Sequence, residues 1–383
     1  MKIHDLLSCG LLVNEVSAGF VPLTESHGQL PESTTPARDE TTETRSAELL
    51  NVLHNINEHD LIQLPPTGLA HDHVRLGNTK YLLRIPKQSQ MRLGAQDNLH
   101  YQAACFQRMH PSGHTPQCFG TVAPATHLPM GCLVVEYIDG RPLRLPSEIN
   151  RAADALAAIH CLVLPEKEKR LPLLNQHTPL HDTFLEVLAQ GEYVDQSHCG
   201  DASKKAIKHQ LALAKRDIEQ SGHSPITLTS FDAHPGNFLI DSTGKAYLVD
   251  LEKARYGGAG FDLAHATLYT STTWDEHCHC ILTQAEIDHF YASWSNAMPV
   301  QLSSALQPQL LPMRRLMWLW SLTWCAKWTV QSKTKNISSE QTIENAENWS
   351  ADNSSASLIQ HVQERVNHYL DIETIDRISQ EFE

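Results

Sequence analysis

Apolar positions change their period several times along this chain, and each change marks an element. Residues 23–46 carry Thr, Ser, Glu and Pro but few large apolar groups, too little to offset the entropy of ordering them. Residues 1–46 therefore read as a disordered leader. From Ala47 the apolar groups Leu49, Leu50, Leu53 and Ile56 fall three and four apart, which predicts a helix. Between about 60 and 137 the pattern shortens to the runs Val74–Leu76, Tyr81–Ile85 and Gly131–Tyr137, broken by Gly and Pro, which predict strands. A helix over Asn98–Met109, with Tyr101, Ala104, Cys105 and Met109, lies between the second and third.

After Gly140 the helical period returns. Ile149–Leu162 is Ala-rich, and Ala202–Glu219 repeats Ile207, Leu211, Ala214 and Ile218. Two strand-like pieces, Asn237–Ile240 and Lys245–Leu251, are joined by Asp241-Ser242-Thr243-Gly244, whose Asp and Gly suit a hairpin turn. Ser332–Ser357 is polar and reads as a surface loop before a last amphipathic helix with Leu358, Val362, Val366 and Tyr369. The class expected is α+β: a small sheet-plus-helix lobe over 47–137 and a larger helical lobe over 138–383.

Composition narrows the function. The 383 residues exceed one ordinary domain, and 41% hydrophobic content supplies a sizeable core. A formal charge of −14 argues against nucleic-acid binding, which needs clustered Lys and Arg, and suits an amine-bearing partner. The 23 histidines soften that charge below neutral pH. Nine scattered cysteines, an odd count, read as reduced thiols of a cytoplasmic protein. His277-Cys278-His279-Cys280 offers soft ligands, but neighbours in sequence seldom converge on one metal. Leu6-Leu7-Ser8-Cys9 lacks the preceding apolar region of a lipoprotein signal. No run reaches the roughly 18 apolar residues of a membrane span, so no membrane partner is expected.

Phosphoryl transfer requires a carboxylate near the acceptor hydroxyl, oxygen ligands for magnesium and positive charge on the phosphates. In Ser230-Phe231-Asp232-Ala233-His234-Pro235-Gly236-Asn237 an Asp precedes an Asn across a Pro-Gly turn, which lets both face one cavity. Asp250 follows the apolar Ala246, Leu248 and Val249, with Glu252 two residues on and on the same side of an extended chain. In Lys80–Ile85, alternation sets Arg84 with Leu82 and opposite Leu83, so Arg84 is the first candidate for a phosphate-facing cation and Lys80 the second.

The run Asp232–Asn237, then Leu248-Val249-Asp250-Leu251-Glu252, then Gly260-Phe261-Asp262-Leu263-Ala264, resembles the catalytic core of the aminoglycoside phosphotransferase and choline kinase superfamily. That resemblance implies a bilobal protein-kinase-like fold, ATP and Mg2+, and a small-molecule acceptor with a hydroxyl, such as an amino alcohol or aminoglycoside-like compound. It implies Asp232 as catalytic base, Asn237 and Asp250 as metal ligands with Glu252 beside them, and Asp262 as a buried acid bracing the loop. His234 reads as structural support. Leu133–Leu143 is similar to the hinge that receives adenine, at Glu136 and Ile138, and Pro65–Asp72, with Gly68 and His71, takes the place of the phosphate-covering turn.

Two positions depart from the family pattern. Ser230 stands where a histidine usually precedes the catalytic Asp, and Gln102 where a glutamate usually pairs the strand cation. They motivate a second reading, a nucleotide-binding regulatory protein without turnover. Trp320, Trp324 and Trp328 recur every four residues after Trp318; such a stripe is core, or Trp320 and Trp324 line an acceptor pocket with Tyr291 and Trp294.

Overall fold

The computed structural model describes residues 11–23, 40–65, 70–332 and 356–382 of the chain. Order begins earlier than the polarity pattern predicts. Helix α1 (Leu11–Gly19) leads into strand β1 (Phe20–Pro22), and α2 (Glu40–Asn55) starts at Glu40 rather than near Ala47. The disordered-leader reading is thus corrected over residues 11–22 and 40–46, while 24–39 fall outside the described residues. The physical reason is local: Leu12 and Val16 are apolar enough to pack with Leu49 and Leu53 of α2 in one buried cluster.

That cluster covers one face of a six-stranded antiparallel sheet. Its strands are β2 (Leu61–Gln63), β3 (His71–Leu76), β4 (Tyr81–Pro86), β5 (Cys118–Val122) and β6 (Cys132–Glu136), in the order β1-β5-β6-β4-β3-β2. Alternation divides the side chains. Val74, Leu83 and Val134 join the α1/α2 cluster, whereas Leu82, Leu133 and Val135 pack toward α3 (Ala95–Met109). Gly120 of β5 lets β1 approach, since a Cβ there would stand 2.2 Å from the Phe20 ring.

The crossing between lobes is short. The Tyr137 amide donates to the Lys80 carbonyl at 2.7 Å, and by β7 (Gly140–Pro142) the chain has joined the second sheet, paired with β9 (Phe238–Asp241), which in turn pairs with β10 (Ala246–Leu248). The Asp241–Gly244 turn forms as expected, with Asp241 accepting from the Thr243 and Lys245 amides.

Helices α4 (Ile149–His160), α5 (Pro179–Gly191), α6 (Asp201–Gln220), α7 (Ala259–Thr267), α8 (Tyr269–Thr272), α9 (Gln284–Ala297) and α10 (Val300–Leu306) build the larger lobe with a short ladder of β8 (Thr227–Thr229) and β11 (Arg255–Gly257). The central α11 (Leu310–Gln331) buries Met313, Leu316, Met317, Leu319 and Leu322. After it come α12 (Ala356–Tyr369) and α13 (Ile372–Ser379), the latter capped by Asp371 and absent from the pattern reading. Most of the polar 332–357 run, residues 333–355, lies outside the described residues.

Candidate active site

The loop bearing Asp232 leaves β8 and is pinned from behind. Asp262, fully buried in the first turn of α7, accepts the backbone N–H of Ser230 at 2.8 Å and of Phe231 at 2.7 Å, and the Ser230 hydroxyl lies 3.3 Å away. This grip holds Phe231 at φ +57, a left-handed backbone that a bulky residue adopts only when its surroundings enforce it. His160 Nε2 stands 3.1 Å from Asp262, and the Trp294 indole N–H donates to His160 Nδ1 at 3.0 Å. An indole only donates, so Nδ1 accepts and Nε2 is left to donate to Asp262. Ser230 Oγ also accepts the Asp232 amide at 3.1 Å, so its hydroxyl braces the loop from within.

Asp232 itself is nearly buried, its carboxylate 2.8 Å from Lys253 Nζ and 3.6 Å from His265 Nδ1. Burial pushes its pKa up, but Lys253, His265 and His234 outweigh it, and the group stays below the ordinary carboxylate value. Asn237 donates through Nδ2 to the Asp232 carbonyl at 2.8 Å, which turns its amide so that Oδ1 is left to accept. The Val249 amide donates to the Asn237 carbonyl at 3.0 Å and brings Asp250, just past β10, beside it.

Asp250 pairs with Arg84 across the lobes at 2.5 Å. Burial raises its pKa, yet Arg84, His71 and Lys253 hold it well below the usual range. Its neighbour Glu252 goes the other way: burial and the Asp250 charge push it up to about 8, and its carboxyl accepts from Gln90 at 2.6 Å. His71 Nε2 is 3.2 Å from Gln102 Oε1 and 3.5 Å from Glu252, and burial beside Arg84 keeps the ring far below its ordinary pKa. Ligand atoms of His71, Asp250 and Glu252 lie within 4.8 Å of one another, close enough to share a cation. Gln102 turns its carbonyl to His71 rather than to Arg84. Among the described residues, Gln102 Nε2 and Arg84 Nε have no hydrogen-bond partner.

Asp232, Asn237, Asp250, Glu252, Asp262, Arg84, His71 and His234 thus gather where the lobes meet. Others do not. Lys80 is corrected as a phosphate cation: its ammonium pairs with Glu48 of α2 at 3.0 Å, and four strand residues put it about 13 Å from Arg84. Trp294 is corrected as an acceptor-pocket residue, because it is fully buried and its N–H is spent on His160. Tyr291 sits near Arg314, which pairs with Glu381, and Trp324 packs edge-on against Trp274. Trp320 does reach the site, 5.7 Å edge-on from Phe231, while Trp318 and Trp328 are core. Glu136 and Ile138 lie at the lobe crossing, where the Glu136 amide bonds the Gln117 carbonyl. Gly68 lies outside the described residues, and Cys278 of the His-Cys pair donates to the Leu143 carbonyl.

Lys253 escaped the sequence reading, in which His265 reads as a loop or core histidine. Lys253 follows Glu252 directly, but period-two alternation would send it away from the site; a turn after Leu251 brings it back.

The profile of the APH family, described as a phosphotransferase enzyme family, matches residues 61–293. No curated protein sequence matches the chain. Among solved structures, an ethanolamine kinase from Plasmodium vivax is 15% identical with a TM-score of 0.53, covering 91% of this chain and 97% of that one. The spectinomycin phosphotransferase APH(9)-Ia, in complex with ADP and spectinomycin, is 12% identical at 0.51, with 84% and 93% covered. Choline kinase LicA from Streptococcus pneumoniae is 15% identical at 0.50, with 85% and 99% covered. At such identities the likeness is one of fold. Among the described residues no helix is long and apolar enough to cross a membrane. With well over half of its length matched to one family, and a kinase-like fold around the matched residues, this chain belongs to the phosphotransferase enzyme family.

Proposed function

We propose that the protein transfers the terminal phosphoryl group of ATP, with magnesium, to a hydroxyl of a small molecule in the cytoplasm. The observation that carries this reading is the pinned loop: Asp262 fixes the two amides before Asp232, so an ionised carboxylate stands ready where the lobes meet. In the reaction the acceptor oxygen forms a bond to the γ-phosphorus, the bond from that phosphorus to the departing ADP oxygen breaks, and the hydroxyl proton passes to Asp232. Orientation of the hydroxyl is the larger part of its contribution, since phosphoryl transfer asks little covalent help of a protein.

The donor set suits magnesium. Asp250 is ionised and Asn237 has Oδ1 to offer, both hard oxygen ligands, whereas the His71 imidazole suits softer metals. Bound magnesium would supply positive charge to the phosphate oxygens. Glu252, buried and bonded to Gln90, stands behind Asp250. Arg84 is the residue to hold the phosphates, by giving up Asp250 as they arrive, and the 136–140 crossing is where adenine would be read. The proteins similar in fold include one bound to ADP, which supports nucleotide use.

The test is a metabolite-pool phosphorylation screen by mass spectrometry with wild type and Asp232→Asn. Turnover should fall by about 10²–10⁴-fold in the variant, with nucleotide binding largely kept; equal products from both would sink the assignment. A second reading, a nucleotide-binding regulator without turnover, is favoured by Arg84, which pairs with Asp250 instead of an acid on α3. Tight nucleotide binding with no product from any acceptor would select it.

A further inference from the structure

Around Asp232 lie polar atoms that the fold leaves unused. His234 Nδ1, His265 Nδ1 and Trp320 Nε1 are each shielded from solvent and have no hydrogen-bond partner among the described residues. The two imidazoles face each other with centroids 5.9 Å apart, and the 3.6 Å between His265 Nδ1 and Asp232 is too long for a hydrogen bond. Buried polar atoms are usually satisfied, so the unused ring nitrogens of His234 and His265 beside Asp232 have bonds to offer a ligand that enters there.

The same neighbourhood already holds a cation. Lys253 Nζ, 2.8 Å from Asp232, also stands 5.5 Å from the centroid of the Trp320 ring. Its side chain is largely buried there, so it occupies the aromatic face on which a ligand ammonium would otherwise settle. A site for an ammonium would also need an acid to spare. Asp232 is neutralised by Lys253 and Asp250 by Arg84. A second positive charge beside Lys253 would meet like charge in surroundings that screen poorly.

We propose that the acceptor is an oxygen-rich alcohol without an ammonium group, a polyol or a hydroxy acid, and that Lys253 is the specificity residue that turns cationic acceptors away. The inference rests on the phosphotransferase reading of Asp232 and reverses the preference for amines drawn from net charge, because the local charge at the site is what an acceptor meets. Trp320 Nε1 and Lys253 Nζ donate to acceptor oxygens; His234 and His265 bond the remaining hydroxyls.

Two measurements test it. First, titrate tetramethylammonium into wild type, Lys253→Met and Lys253→Arg by calorimetry. Binding should be at least about tenfold tighter in Lys253→Met than in wild type, with Lys253→Arg behaving as wild type. Equal binding in wild type and Lys253→Met overturns the proposal whether or not the protein turns over, and Lys253→Arg guards against a folding defect. Second, assay neutral polyols, hydroxy acids, choline, ethanolamine and kanamycin with ATP and magnesium. The best polyol or hydroxy acid should exceed every amine by about tenfold or more in kcat/KM, and Lys253→Met should narrow that ratio. An amine preferred by wild type, and phosphorylated through Asp232, overturns the inference while keeping the phosphotransferase reading. No product from any acceptor removes that reading instead, and the titration then decides the role of Lys253 alone.

Discussion

The two halves of the candidate site are held in opposite ways. On the helical side, every link behind Asp232 is short and internal to one lobe: Trp294 to His160, His160 to Asp262, and Asp262 to the Ser230 and Phe231 amides. On the sheet side, Arg84 pairs with no acid of its own lobe among the described residues and reaches across to Asp250, while Gln102 turns to His71. On the function proposed above, the first half is built before substrate arrives, and the second is a pair of ions that would exchange partners as phosphates entered. Preorganisation would then be concentrated at the acceptor end, and adjustment at the nucleotide end.

The sharpest way to break this contrast is Asp262→Ala. It should strand two buried amides, cost about 3 kcal/mol of stability and lower kcat by about 100-fold or more, measured by denaturant melts and steady-state rates; unchanged kcat would mean that the loop holds itself. Arg84→Ala should act on the other half, raising the KM for nucleotide by about 30-fold, as expected for loss of a charge-assisted contact, with a fall in melting temperature because Asp250 loses its buried partner. Gln102→Glu should give Arg84 an acid in its own lobe and lower that KM by about threefold; a higher KM would show that Arg84 works better unpaired.

A pH series probes both halves through stability. His265 beside Asp232 and His73 beside Arg84 are both held near about 4 by burial and neighbouring cations. Between about 6.5 and about 4 the unfolded chain takes up protons that the folded one refuses, so stability should fall as pH drops through that window. Thermal melts at successive pH values check it, and His265→Gln should flatten part of the slope. The smallest effect is expected from Lys80→Ala, within about 0.5 kcal/mol and without change in nucleotide KM, since its exposed pair with Glu48 lies outside the site.

The same contrast governs what was legible in the sequence. Asp232, Asn237 and Asp250 sit on one hairpin, where spacing and turn residues suffice to bring them together, and Asp262 follows within a short stretch. Arg84 was legible by alternation, but its partner Asp250 is 166 positions away and no local pattern encodes the pair. Lys253 was invisible because a turn, not an extended strand, carries it past Glu252. Trp294 misled for a related reason: an aromatic on a helix near the site looks the same in sequence whether it faces a ligand or, as here, anchors a buried histidine. Strand β5 was missed because it is short and interrupted by the glycine that admits Phe20.

That glycine and its partner strand bear on how the protein is handled at the bench. β1 closes the β5 side of the six-stranded sheet. A version trimmed to begin at residue 47, where helical periodicity first becomes plain, would lose it and leave the backbone of β5 as a bare template for another chain. Shortening this protein for convenience would therefore cost solubility before it cost chemistry.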